Sequence, residues 1–183
     1  AATKGKWGIA NQGISGNRIL SDGMGDSALA RLDRDILALP GIKYMIVFEG
    51  VNDLGIGFGA PRNGPVPMSA LPNPRIDLEQ MLAGYRQLIE RAHARGIKVI
   101  GATIAPYKGA TYWSEAGEKV REGINAEIRS GKLFDGMIDF DKAFADPANQ
   151  QQMRPGYHMG DHLHGTDAGY EAIAKSIDLK LFR

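Results

Sequence analysis

Three stretches of the 183-residue chain combine residue types that could do chemistry together: GISGNR (13–18), EGVNDLG (49–55) and GDHLHGTDAGY (160–170). Gly13 and Gly16 permit a sharp turn whose backbone N–H groups can point at a ligand. Asn52 offers a carboxamide NH₂ donor, while Asp161 and His164 supply a carboxylate and an imidazole. A carboxylate that fixes the tautomer of an imidazole is what a general base requires.

The last stretch also permits a metal site. His158, His162 and His164 lie beside Asp161, and imidazoles two and four residues apart with a carboxylate can bind zinc. A zinc centre would leave the glycine turn and Asn52 without a role. The zinc interpretation is therefore kept as an alternative, and no metal or other cofactor is expected.

Elements that could position these residues follow from the hydrophobic pattern. Short apolar runs predict strands over 7–14, 41–50, 96–105 and 136–140. Helical spacing of apolar residues, with capping residues at the ends, predicts helices over 27–39, 76–96, 114–131 and 165–182. Strands that alternate with helices indicate a parallel sheet covered on both faces, with the three polar stretches at its carboxyl edge. A Gly/Pro-rich loop over 55–75 is predicted to overhang that edge.

Composition narrows the class of protein. The net charge is +1, from 22 basic and 21 acidic residues, and no basic run indicates nucleic acid or a membrane surface as a partner. No apolar run approaches the roughly 20 residues that span a bilayer. The absence of cysteine excludes a disulfide framework and a thiolate nucleophile. The compartment stays open.

At these motifs the chain resembles the SGNH/GDSL hydrolases, over essentially its whole length. ISGN (14–17), GVND (50–53) and DHLH (161–164) match three of the four blocks of that family, in the family's order. The most similar branch contains bacterial aryl- and acylesterases associated with polysaccharide breakdown.

The resemblance implies a role for each matched residue. Gly16, through its backbone N–H, and Asn52, through its side chain, would bind the oxyanion. His164 would be the base and Asp161 its orienting carboxylate. It further implies one domain over 1–183 with a flavodoxin-like three-layer α/β/α sandwich and a parallel sheet, acting on a small ester or an acylated carbohydrate.

One block of the family has no counterpart at its expected place. The Gly-Asp-Ser block with the nucleophile should precede the glycine block, whereas the tripeptide GDS here spans 25–27. Ser27 directly precedes an apolar helical face and is predicted to be an N-cap rather than a nucleophile. Ser15 is the next candidate, but a side chain within the oxyanion turn is poorly placed for attack.

The resemblance therefore predicts that the first strand of the fold is missing from this chain, between the strands at 7–14 and 43–49. A gap of about two strand spacings would leave two ladders unpaired. We expect another segment to fill it and to supply the serine: an upstream piece, a separate chain after a nick, or part of a homodimer. The alternative is an inactive remnant that binds carbohydrate or a partner.

Overall fold

The computed structural model describes residues 7–58 and 76–183. In chain order the elements are α1 (Ala28–Leu32), which continues as a π-helical turn (Asp33–Leu37), β1 (Tyr44–Val47), α2 (Val51–Phe58), α3 (Leu78–His93), β2 (Lys98–Ala102), α4 (Glu115–Arg129), β3 (Gly136–Ile138), α5 (Phe140–Phe144), β4 (Ala145–Asp146), β5 (Asn149–Met153), α6 (Asp167–Ser176) and a 3-10 helix (Leu179–Phe182).

The central sheet is parallel, in the order β1-β2-β3. Ile46 is paired with Ile100 across β1 and β2, and Ile100 with Gly136 across β2 and β3. These strands coincide with the predicted Ile- and Val-rich runs. Burial explains the composition of β2, whose residues from Val99 to Ala102 are buried on both faces, whereas β1 is buried on one face only.

Helices pack on both sides of this sheet. Met45, Val47 and Val99 face the larger core, with α3 and α4. Ile100 and Ala102 face a second, smaller core that includes residues of α6 and of the C-terminal 3-10 helix. This is the α/β/α sandwich that the resemblance implies, and it places the carboxyl ends of β1 and β2 along one edge.

The four predicted helices are present with their N-caps, although the helix predicted over 165–182 ends at Ser176 and a 3-10 helix follows it. Asp77 and Gln80 form both hydrogen bonds of a capping box before α3. Ser114 and Thr166 cap α4 and α6. The Ser27 hydroxyl accepts a hydrogen bond from the Ala30 N–H at 3.3 Å, which is the predicted N-cap role.

Three expectations about local structure are corrected. Residues 7–14 form no strand, and Ile9 in this segment is 91% exposed; Trp7 packs against Tyr44 of β1, but the segment joins neither described sheet. The stretch after β1 is helix α2 rather than a turn, so residues 55–58 of the predicted loop are helical, while 59–75 lie outside the described residues. The antiparallel β4–β5 pair was not predicted.

In the described parts of the chain, no helix combines the length and the hydrophobicity that crossing a membrane requires.

Candidate active site

The glycine turn is built around a backbone conformation that favours glycine. Gly16 has φ 70°, and a Cβ at that position would lie 2.6 Å from Met24 Cγ. The side chain of Asn17 anchors the turn. Its Nδ2 donates to the Asp26 carbonyl at 2.8 Å, and its Oδ1 accepts from Arg31 Nε at 3.0 Å. The N–H of Gly13 is less available to a ligand, because it donates to Asn11 Oδ1 at 2.9 Å.

Asp53 fastens the same loop to the first turn of α2. Its carboxylate, 1% exposed, accepts the Ile19 N–H at 3.0 and 3.1 Å and the Leu20 N–H at 3.3 Å. Buried backbone N–H groups need such partners. The loop that carries Gly16 is therefore anchored to α2 at Ile19 and Leu20.

Asn52, one residue before Asp53, contacts the loop through its side chain. Its Nδ2 donates to the Asn17 carbonyl at 3.0 Å, and its Oδ1 accepts from the Tyr112 hydroxyl at 3.1 Å. The structure thus brings Asn52 beside the glycine turn, as the sequence predicts for two groups at one edge of the sheet.

Two carboxyl groups belong to this region, the partly buried Glu49 and the fully buried Asp53. Burial and then the charge of Asp53 together raise the pKa of Glu49 to about 8. Burial also raises the pKa of Asp53, to about 6, although the N–H groups of Ile19 and Leu20 act in the opposite direction. Hydrogen bonds from N–H groups favour the ionised form, so Asp53 is the first of the two carboxyl groups to ionise as the pH rises.

Asp161 and His164 form the predicted pair. Asp161 Oδ2 lies 2.6 Å from His164 Nδ1, and Oδ1 accepts the N–H groups of Leu163 and His164, both at 3.0 Å. Burial alone would raise the pKa of Asp161, but these hydrogen bonds lower it to about 2. A carboxylate only accepts, so Nδ1 carries the proton and Nε2 is the basic nitrogen.

The two halves of the candidate site share a neighbour, the segment 107–112 that follows β2. Tyr112 reaches Asn52. Gly109 lies against the ring of His162, so that a Cβ there would be 2.8 Å from His162 Cγ. Leu163 packs on the same core as Tyr112. Both Asn52 and the loop of Asp161 and His164 are therefore in contact with the segment 107–112.

The histidines of the zinc alternative are arranged differently from a metal centre. The rings of His158 and His162 stack at 4.2 Å, and His158 Nδ1 accepts the N–H groups of Gly160 and His162 at 3.1 and 3.2 Å. Among residues 7–58 and 76–183, no group of three or more His, Cys, Asp or Glu side chains is placed to hold a metal ion. The zinc alternative therefore lacks geometric support.

The sequence profile of the GDSL-like Lipase/Acylhydrolase family matches residues 1–172. The chain belongs to this family. It is accordingly a carboxylic ester hydrolase by class, as the resemblance implied. No curated protein matches it.

Solved structures share the fold of this GDSL acylhydrolase at low sequence identity. Axe2, an acetylxylan esterase from Geobacillus stearothermophilus, is 16% identical with a TM-score of 0.66, over 94% of this chain and 71% of its own. The acetyl xylan esterase AlAXEase is 20% identical with a TM-score of 0.61, over 90% and 76%. A GDSL-like lipase from Bacteroides thetaiotaomicron is 18% identical with a TM-score of 0.60, over 84% and 68%.

Sequence reasoning missed two polar residues of the acylhydrolase site. Asp53 could have been noticed, because a carboxylate in the first turn of a helix beside a glycine-rich turn has backbone N–H groups within reach. The contact of Tyr112 with Asn52 could not be predicted, since the two residues lie 60 positions apart in the chain.

Proposed function

We propose that this protein is a serine esterase that hydrolyses short-chain acyl or aryl esters, including acetyl groups on carbohydrate, through an acyl-enzyme. The proposal depends on one observation above all: Asn52 is hydrogen-bonded to the glycine turn, while Asp161 holds His164 with Nε2 as the basic nitrogen. An oxyanion donor and an oriented base are the two parts that acyl transfer requires besides the nucleophile.

In the proposed reaction a serine hydroxyl attacks the ester carbonyl while His164 Nε2 takes its proton. The Gly16 N–H and the Asn52 amide bind the oxyanion of the tetrahedral intermediate. Asp161 stabilises the imidazolium. His164 then protonates the leaving alcohol, and water, activated by the same imidazole, releases the acid from the acyl-enzyme.

We assign the nucleophile to a segment outside residues 1–183. Ser27 is 6% exposed and its hydroxyl is engaged as a helix cap, and Ser15 lies within the turn that would bind the oxyanion. In the described sheet β1 pairs only with β2, and Ile46 and Phe48 remain 44% and 42% exposed. Such a free apolar edge could accept a further strand.

The substrate class is inferred from the fold neighbours. Axe2 and AlAXEase are both named as acetyl xylan esterases. A small acyl group on a carbohydrate hydroxyl is an ester of the kind that the proposed site would cleave. Acetylated xylan oligomers and p-nitrophenyl acetate are therefore the substrates to compare first.

The decisive experiment is active-site labelling with a fluorophosphonate, followed by peptide mapping. It is performed on the gene product as its natural producer makes it and, in parallel, on the isolated 183-residue chain. We expect a labelled serine outside residues 1–183 in the former and no labelling in the latter. Labelling of Ser15 or Ser27 would overturn the external nucleophile. Absence of labelling and of ester hydrolysis in both would overturn the esterase and favour the inactive remnant.

The role of Asn52 predicts a specific loss of turnover. In the active form, Asn52→Ala should lower kcat for p-nitrophenyl acetate by roughly 10²–10³, the usual effect of removing one oxyanion donor. Asn149→Ala, in the β4–β5 pair, is the control and should change kcat little. A loss below tenfold in Asn52→Ala would remove this residue from the role.

His164 is tested against a second His–Asp pair of the same chain. His93 Nε2 lies 2.8 Å from Asp135 Oδ2, far along the chain from the candidate site. Replacing His164 with Asn should abolish turnover, whereas His93→Asn should preserve it. Equal losses in the two variants would indicate general destabilisation instead of lost base catalysis.

A further inference from the structure

We propose that Tyr112 is a positioning residue: its hydroxyl fixes the Asn52 carboxamide in the one orientation that directs the NH₂ group toward the glycine turn. The orientation follows from the contacts alone. Its consequence for turnover rests on the proposed esterase function.

The direction of the amide follows from the two groups that flank it. On one side lies the carbonyl of Asn17, 3.0 Å from Nδ2, and a carbonyl oxygen only accepts. The NH₂ group must therefore face Asn17. Oδ1 then faces the Tyr112 hydroxyl at 3.1 Å, which makes that hydroxyl the donor.

Tyr112 is held firmly enough to impose this orientation. The side chain is 2% exposed, and its ring packs beside the ring of Tyr107 with the centroids 6.0 Å apart. Its face lies directly against Gly55, one helical turn after Asn52 in α2, where a Cβ would overlap the ring. Helix α2 thus presents Asn52 and makes room for the residue that orients it.

Orientation matters because the two ends of a carboxamide have opposite effects on an oxyanion. An N–H group stabilises the developing charge, whereas Oδ1 in the same place would repel it. A donor on Oδ1 also polarises the amide, which strengthens donation from its NH₂ group. With one N–H engaged by Asn17, the second N–H of Asn52 is the one left for the substrate.

The first test is structural and uses the 183-residue chain. The Asn52 side-chain ¹H–¹⁵N signals are followed in wild type, Tyr112→Phe and Tyr107→Phe. Tyr107 is the matched control, because its buried hydroxyl has no hydrogen-bond partner among the described residues. We expect Tyr112→Phe to shift these signals and speed their exchange with water, and Tyr107→Phe to leave them in place. Unchanged Asn52 signals in Tyr112→Phe would overturn the proposal.

The second test is kinetic and uses, without the label, the form of the protein that the labelling experiment identifies as active. Tyr112→Phe should lower kcat about tenfold with KM nearly unchanged, less than the 10²–10³ of losing the donor itself. In an Asn52→Ala background the same change should have no further effect, because it acts through Asn52. An additive loss in the double variant would overturn the role. If no form hydrolyses esters, the proposed function fails while the amide signals still decide the orientation.

Discussion

Two neighbouring residues of the GVND motif bind the same loop through opposite hydrogen-bond roles, one as a donor and the other as an acceptor. Asn52 turns its amide outward to the Asn17 carbonyl, and Asp53 buries its carboxylate beneath the N–H groups of Ile19 and Leu20. The first turn of a helix makes this possible, because consecutive side chains point about 100° apart. Substitution of Asn52 should therefore lower turnover, whereas substitution of Asp53 should destabilise the loop.

Glu49 provides a prediction about stability and pH. Its pKa is about 8 in the folded protein, against an ordinary 4.5, through burial and then the charge of Asp53. Between these values the unfolded chain has lost a proton that the folded chain keeps, so the free energy of unfolding falls as pH rises from 4.5 to 8. Each pKa unit corresponds to about 1.4 kcal/mol. Glu49→Gln removes this dependence and should stabilise the protein at pH 8.5 relative to wild type.

Urea unfolding at pH 5 and pH 8.5 measures the effect. Glu90→Gln, at an exposed position on α3, is the control and should follow the wild-type pH dependence. A Glu49→Gln variant whose stability relative to wild type is the same at both pH values would show that the carboxyl of Glu49 is not held protonated by the fold.

At the scale of elements, local signals and long-range pairing differ in how well the sequence predicts them. Caps such as Ser27 and Asp77 were predictable because their partners lie within three residues. The strand expected at 7–14 was wrong: a strand needs ladder hydrogen bonds to a neighbouring strand, and this segment is paired with none of the described strands. Asp161 and His164 could be paired from their spacing. The contacts of Asn52 with Asn17 and Tyr112 join distant segments, and no local pattern encodes them.

The loop that presents Asp161 and His164 yields a prediction of its own. His158 Nδ1 accepts two N–H groups of this loop, from Gly160 and His162, and must be unprotonated to do so. His158→Asn keeps an acceptor in the same place through Oδ1, whereas His158→Leu removes it. We expect the pKa of Asp161 to stay at about 2 in the Asn variant and to rise toward the ordinary 3.8 in the Leu variant.

Carboxyl ¹³C titration of Asp161 measures this difference. Burial, and then the charge of His162, lower the pKa of His158 below its ordinary 6.5, while Asp161 acts in the opposite direction. A base with a lowered pKa stabilises the fold above pH 6.5, and that contribution disappears as the pH falls through the lower, folded-state pKa. In the Asn variant, the free energy of unfolding should not show this decrease at acidic pH. A Leu variant that keeps the Asp161 pKa would show that the loop does not depend on His158.

At the scale of the whole molecule, the side of β1 that faces away from β2 has no partner strand among residues 7–58 and 76–183. Ile46 and Phe48 lie on the sheet face of the smaller core, where Phe48 contacts Phe140 with ring centroids 4.9 Å apart. Both keep more than two fifths of their surface exposed. Exposed apolar residues beside an unpaired strand edge favour association with another chain or segment. The isolated 183-residue chain should therefore self-associate.

Size-exclusion chromatography with light scattering tests this expectation. Wild type should elute above the 19.8 kDa of one chain, and Ile46→Lys should return it to the monomer, because a charge on this face has to be desolvated on contact. Leu179→Lys is the control, since Leu179 is similarly exposed, at 41%, but lies in the C-terminal 3-10 helix and not on β1. A well-folded wild-type monomer of 19.8 kDa would mean that the β1 edge needs no covering segment, and the external strand proposed for the nucleophile would lose its structural support.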